Sequence, residues 1–144
     1  MSKQLLQRFP AALCQHEIEQ IARRLDREPL ATIRDATGAV NLSALVRVAV
    51  SVWWTDWGKG EVIDPTTYQA WAQHYTAAGL PQPAMSQISV SAQTAQDIQT
   101  LGMALRDLGV EIPNLRVRRG GGYNRPLIAY MAVMRLASRP SPRK

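Results

Sequence analysis

Cysteine, histidine and phenylalanine are almost missing from this chain, which has one Cys, two His and one Phe in 144 residues. A lone Cys14 closes no internal disulfide and builds no thiolate metal cage; set in a helix-like stretch, it reads as a buried thiol. His16 and His74 are too few and too far apart for a zinc site without help from carboxylates. Long apolar runs are missing as well. The opening MSKQLLQRFP lacks the hydrophobic centre of a secretion signal, and the longest apolar stretch, around Leu45–Trp54, contains Arg47 and is too short to span a bilayer. The expectation is a soluble, cytoplasmic, bacterial-type protein with no membrane association, no metal and no cofactor.

Acidic side chains are the other scarcity. Asp and Glu number 11 against 17 Lys and Arg, for a net charge of +6, while 46% hydrophobic residues are enough for a core. That length and composition suit one domain or two very small ones. A basic balance points to an acidic partner, and its distribution narrows the region. Residues 1–79 hold eight basic and eight acidic side chains, whereas 80–144 hold nine and three, so the whole excess lies in the second part.

What is present is a weak internal repeat. HEIEQIARRLD sets Ile18, Ile21, Ala22 and Leu25 on one helical stripe, and AQDIQTLGMALRDLG sets Ile98, Leu101, Gly102 and Leu105 at the same spacing, offset by 80 residues. NLSALVRVAVSVWW and NRPLIAYMAVMRLA then align at an offset of 83, matching Leu45 with Ile128, Ala49 with Ala132, Val50 with Val133 and Trp53 with Leu136. Asn41 and Asn124 open these two segments and are good N-caps, because the side-chain oxygen can accept from a free N–H of the first turn. Pro126 suits that turn, where its missing N–H costs nothing. The connections between the helices are nearly equal in length and carry proline and glycine: Pro29 and Gly38 in the first, Pro113 and Gly120–Gly122 in the second. The agreement in order, caps and punctuation predicts a duplicated unit.

A strand precedes the first helix of each unit. SQISVSA alternates, with Ile88, Val90 and Ala92 on one face and Gln87, Ser89 and Ser91 on the other; Thr94 to Asp97 has capping-box spacing for the following helix. KQLLQRFPAAL is less regular, since Leu5, Leu6 and Phe9 do not alternate strictly. Between the units, Asp64-Pro65 starts a helix whose Tyr68, Trp71 and Tyr75 recur at helical spacing, and Gly79 ends it. The expected division is 1–54 first unit, 55–84 helix-containing connector, 85–138 second unit and 139–144 a mobile basic tail, together one compact domain.

The order strand, helix, loop, helix resembles the ribbon-helix-helix family. The residues that carry the resemblance are FPAALCQHEIEQIARRLD with GAVNLSALVRVAV in the first copy and ISVSAQTAQDIQTLGMALRDLG with GGYNRPLIAYMAV in the second. Two units in one polypeptide are similar to the tandem, single-chain members typified by overdrive-binding accessory proteins of T-DNA transfer. The inter-helix loops, about a dozen residues instead of a tight turn, and the connector helix depart from the simple family pattern. The resemblance implies an α+β, mainly helical fold in which two units form a pseudo-twofold intramolecular dimer with a two-stranded antiparallel ribbon. It also implies that the ribbon enters the DNA major groove and that the second helices form the core, with their N-termini on phosphates.

On that resemblance Gln87, Ser89 and Ser91 would meet base edges, with Gln4, Leu6 and Arg8 as the outward set of the first copy; a solvated strand face is the plain alternative. Asn41, Ser43, Tyr123 and Asn124 would touch phosphates, or serve only as caps. Independently of any family, Arg116, Arg118, Arg119 and Arg125 fall close together without an acid among them, beside three glycines that let backbone approach a phosphate. A solvated loop is the alternative. No Lys-Ser or Lys-Thr follows those glycines, so they are not a nucleotide-binding loop. Trp53, Trp54 and Trp57 read as packing against the 65–78 helix, with a partner-protein surface as the alternative. Asp56, Glu61 and Asp64 near His74 read as a polar turn, and no catalytic constellation emerges.

The expected function is double-stranded DNA binding without chemistry, as an accessory to conjugative DNA transfer on a plasmid or mobile element, with relaxase or partition-type proteins as possible partners and further oligomerisation open. A ribbon-helix-helix transcriptional repressor is the nearest alternative. A protein-interaction adaptor using the Trp-rich half is the alternative of another class.

Overall fold

The computed structural model describes residues 3–9, 15–25, 41–60, 65–78, 86–107, 112, 113, 115 and 123–138. Cys14, most of the segments between the paired helices, and the basic tail lie outside them. The elements follow as β1 (Lys3–Phe9), α1 (Gln15–Leu25), α2 (Leu42–Gly58), α3 (Pro65–Ala78), β2 (Ser86–Ser91), α4 (Ala92–Asp107) and α5 (Arg125–Ser138). The fold is mainly helical, and among the described residues the one sheet is β1 paired antiparallel with β2.

Each helix buries the stripe its sequence provides. Ile18, Ile21 and Ala22 of α1 are buried, as are Ile98, Leu101, Gly102 and Leu105 of α4. In α2 the buried set includes Leu45, Val46, Ala49, Val50 and Trp53; the aligned residues of α5, Ile128, Ala129, Ala132, Val133 and Leu136, are all buried too. Every fully buried Leu or Ile side chain contributes roughly 1.5–3 kcal/mol through removal of apolar surface from water. In α5 burial is continuous from Leu127 to Val133, because α1, α2, α3, α4 and β1 all pack against it. A helix apolar all round belongs at the centre, and α5 is there.

The packing is exchanged between the two parts of the chain. From the first, α1 and β1 lie against α5; from the second, α4 and β2 lie against α2, and α4 also touches α5. The α2–α5 pair forms the spine between them.

The two long-helix starts are built alike. The Ala44 N–H donates to Asn41 Oδ1 at 3.1 Å and the Leu127 N–H to Asn124 Oδ1 at 3.2 Å. Behind each cap the first helical bond follows, Leu45 N–H to Asn41 O at 2.9 Å and Ile128 N–H to Asn124 O at 3.0 Å. At its other end α2 continues to Gly58, past the expected close of the first unit at residue 54. The chain leaves through Gly60 at φ +80°, a left-handed conformation that glycine adopts without a Cβ penalty, and the Gly60 N–H donates to Trp57 O at 3.0 Å.

The start of α4 differs from expectation. The helix begins at Ala92, and its cap is Ser91 rather than Thr94. The Ser91 hydroxyl accepts from the Thr94 backbone N–H at 3.1 Å and donates to Thr94 Oγ1 at 3.0 Å. Both residues suit an N-cap, and Ser91 prevails because β2 runs straight into the helix, leaving it the first residue before helical backbone.

Connector helix α3 begins with Pro65 at its first position, as expected, and lies against α5. Tyr68 and Ala72 are buried. Tyr68 stacks on Trp53 with ring centroids 5.5 Å apart and meets Trp71 edge-on at 5.8 Å, while Trp53 also lies 6.3 Å from Trp57. The tryptophans are therefore mostly core, and Trp54 alone of the three stands out at 40% exposure.

Candidate nucleic-acid interface

In a two-stranded antiparallel ladder successive residues alternate between two faces. The register pairs Lys3 with Ser91, Gln4 with Val90, Leu5 with Ser89 and Leu6 with Ile88, and Phe9 with Ser86. Directly opposed residues share a face of the ladder. Val90 is buried, and β2 lies against α2. The expected outward residues of the two strands are not cross-strand partners: Gln4 and Leu6 pair with Val90 and Ile88, and Lys3 and Leu5 pair with Ser91 and Ser89.

An irregularity between Leu6 and Phe9 shifts the register. From Leu6 to Phe9 the chain takes three steps while its partner takes two, from Ile88 to Ser86, so β1 holds one extra residue. A bulge of this kind changes the alternation along β1 and defeats a count made on β1 alone. Arg8 falls within the irregular stretch, and the regular ladder gives it no paired position. Lys3, opposite Ser91, is a ladder position that the sequence pattern did not single out.

The remaining candidates fall into three groups. Gln87 and Ser89 lie in β2. Ser91 is at its end, half-buried, with its hydroxyl engaged in capping α4. At the helix starts, Asn41 and Arg125 are exposed, Ser43 and Asn124 are half-buried, and Tyr123 is buried. Arg116, Arg118 and Arg119 lie outside the described residues, but the anchors of their segment do not. The Asn124 N–H donates to Leu115 O at 2.7 Å, and the Leu115 N–H to Ile112 O at 3.3 Å. Ile112, Leu115 and Tyr123 are buried, and the Leu115–Asn124 bond ties residue 115 to the start of α5.

Other charges near the helix ends are internally matched. Arg135 Nη2 donates to Asp56 Oδ2 at 2.7 Å, a buried pair tying the last turn of α5 to α2. Arg106 hydrogen-bonds and pairs with Asp107 at 3.1 Å; the hydrogen bond, then the Asp107 charge, raise the Arg106 pKa above its ordinary value. His74 Nδ1 lies 2.9 Å from the Tyr130 hydroxyl. Asp56 is thus held by Arg135 rather than gathered with His74, and no metal-ligating group of three forms among the described residues. No helix of the described residues is long and apolar enough to cross a membrane.

No protein family, curated protein or solved structure matches the chain.

Proposed function

We propose that this chain binds double-stranded DNA as a tandem ribbon-helix-helix protein, laying the β1–β2 ribbon in the major groove and gripping phosphates from the starts of α2 and α5. The observation that carries the reading is the antiparallel ribbon made of one strand from each part of the chain, each strand lying against the long helix of the other part. Further support comes from the matched Asn caps and the matched buried stripes of α2 and α5. Such a ribbon has the width for the major groove, and a helix start offers free N–H groups and the positive end of the peptide dipoles to a phosphate. The base-reading set is Gln87 and Ser89 from β2; the phosphate set is Arg116, Arg118, Arg119, Asn124, Arg125, Asn41 and Ser43. Binding serves an accessory role in conjugative DNA transfer, and the protein performs no reaction on the DNA.

The adaptor alternative loses ground because Trp53 is buried against Tyr68 and Trp57 is half-buried, which leaves Trp54 as the exposed ring of the cluster. The test is titration of a labelled duplex at several salt concentrations. Each neutralised phosphate contributes about −0.9 to the slope of log K against log salt, so Arg116→Glu, Arg118→Glu and Arg119→Glu together should remove at least roughly 2.7 from its magnitude. The circular dichroism of the variant should be unchanged. Absence of duplex binding by the wild-type chain at low salt sinks the proposal and restores the adaptor.

A further inference from the structure

We infer that the outer face of α2 is a docking strip for an unpaired nucleic-acid strand, with Trp54 stacking on a base and Arg47 and Lys59 meeting phosphates. None of these side chains belongs to the proposed duplex set, so the strip stands whether or not the chain binds a duplex. Helical periodicity puts Arg47, Ser51 and Trp54 in one line, and all three are exposed, as are Thr55 and, one turn beyond it, Lys59. Trp54 is the large ring of the line at 40% exposure, and half-buried Trp57 follows one turn on. The aligned line of α5 is different. Tyr130, aligned with Arg47, is fully buried and meets His74 and Tyr75 of α3, with its hydroxyl 2.9 Å from His74 Nδ1. Met134 and Ala137, aligned with Ser51 and Trp54, are half-buried. Helix α3 thus covers α5 at Tyr130, whereas α2 keeps the matching positions exposed.

Charge selects the kind of partner. The single acid of α2, Asp56, is buried and held by Arg135 at 2.7 Å, so the exposed side of the helix offers cations without a competing carboxylate. Ion pairs among the described residues involve neither Arg47 nor Lys59. On α4, which packs against α2, exposed Asp107 is matched by Arg106, and half-buried Asp97 accepts from Gln93 Nε2 at 3.0 Å. An anionic partner is therefore favoured. A protein surface fits poorly, because a stable protein interface buries about 800 Å² on each side around an apolar centre, and this line holds one well-exposed ring among Arg, Ser and Thr. A duplex fits poorly too, since its bases stack on one another and leave no face for an indole. An unpaired strand exposes those faces and carries its phosphates beside them. At 1.5 Å per residue, Arg47 and Lys59 stand about 10 Å and about 8 Å along the axis on either side of Trp54, within reach of the phosphates that flank a stacked base.

The test titrates the full chain with an oligothymidylate of about 12 nucleotides at low salt. Expected are quenching of tryptophan fluorescence and binding that Trp54→Ala weakens about fivefold or more, whereas Trp54→Phe, which keeps a ring, retains most of it. Arg47→Ala with Lys59→Ala should lower the magnitude of the slope of log K against log salt by about 1.4, at about 0.7 for each lost single-strand phosphate contact. All the exchanged side chains are exposed, so the circular dichroism of each variant should match that of the wild type. No binding of the oligonucleotide by the wild-type chain, or binding indifferent to Trp54→Ala, overturns the strip. Equal quenching by a polyglutamate peptide overturns it as well, since the face would then accept any acidic chain. So does a loss of duplex binding in Trp54→Ala as large as the loss for the single strand, because the ring would then belong to the duplex surface. A chain that binds the oligonucleotide through Trp54 but binds no duplex overturns only the function proposed above.

Discussion

Gly102 on α4 faces Tyr123 so closely that a Cβ built on it would lie 2.6 Å from Tyr123 Cγ and 2.9 Å from its Cβ. Those are the ring's root atoms, which cannot swing aside without moving the backbone that leads into α5. Alanine would gain up to about 1 kcal/mol of helix propensity over glycine, but relief of overpacking in a core costs typically 1–3 kcal/mol. Gly102→Ala should therefore lower stability by about 1–2 kcal/mol in urea unfolding. At the aligned positions the sequence has Ala22 and Val40, a larger residue on the helix and a smaller one before the cap. Adding Tyr123→Val should accordingly make Gly102→Ala nearly harmless in a double-mutant cycle; additive losses would show that the ring is not the obstacle. The Asp56–Arg135 pair is a different case. Both side chains are buried, and Arg135 Nε has no hydrogen-bond partner among the described residues. Asp56→Ala leaves a buried guanidinium unmatched and should cost about 3–5 kcal/mol, whereas Asp56→Leu with Arg135→Met should cost far less. A double variant as unstable as the single one would mean the pair is needed for more than mutual neutralisation.

At the scale of elements, the capping residues separate what local pattern can reveal from what it cannot. Asn41 and Asn124 were legible because each stands alone before an apolar stripe, and the bonds to Ala44 and Leu127 are the expected ones. Thr94 was misread because Ser91 lies one turn earlier, and only the direct junction of β2 with α4 decides between them. The β1–β2 register was not legible for a comparable reason, since a bulge is a property of a pair of strands and β2 sits more than seventy residues away. Burial of Asp56 with Arg135, 79 residues apart, had no local signal at all. Connector helix α3, by contrast, announced itself through Pro65 and the aromatic spacing. The caps can be tested as elements: Asn41→Ala and Asn124→Ala should each cost about 1 kcal/mol, the usual value for a lost N-cap side chain. Similar losses at the two sites, read from thermal unfolding, would agree with equivalent helix starts. A loss at one alone would separate them.

For the whole molecule, the decisive feature is that most of the core lies between the two parts of the chain. Helix α1 and strand β1 pack against α5, and α4 packs against both α2 and α5 while β2 packs against α2, so the first part alone would expose Ile18 and Ile21 together with the α5-facing stripe of α2. The second part alone would strip α5 of α1, α2, α3 and β1, baring much of the Leu127–Val133 run. Residues 1–79 or 80–144 as separate polypeptides should therefore lack cooperative unfolding and near-ultraviolet circular dichroism. Mixed in equal amounts they should regain both as a one-to-one complex, with a midpoint that rises with concentration because folding has become association. The covalent link contributes by raising the effective concentration of one part around the other, typically to the millimolar range for a short connection. The intact chain should thus exceed the mixed fragments in stability by an amount that shrinks as fragment concentration approaches that value. Either fragment folding cooperatively by itself would mean that the exchange of contacts across α2 and α5 is not what holds the molecule together.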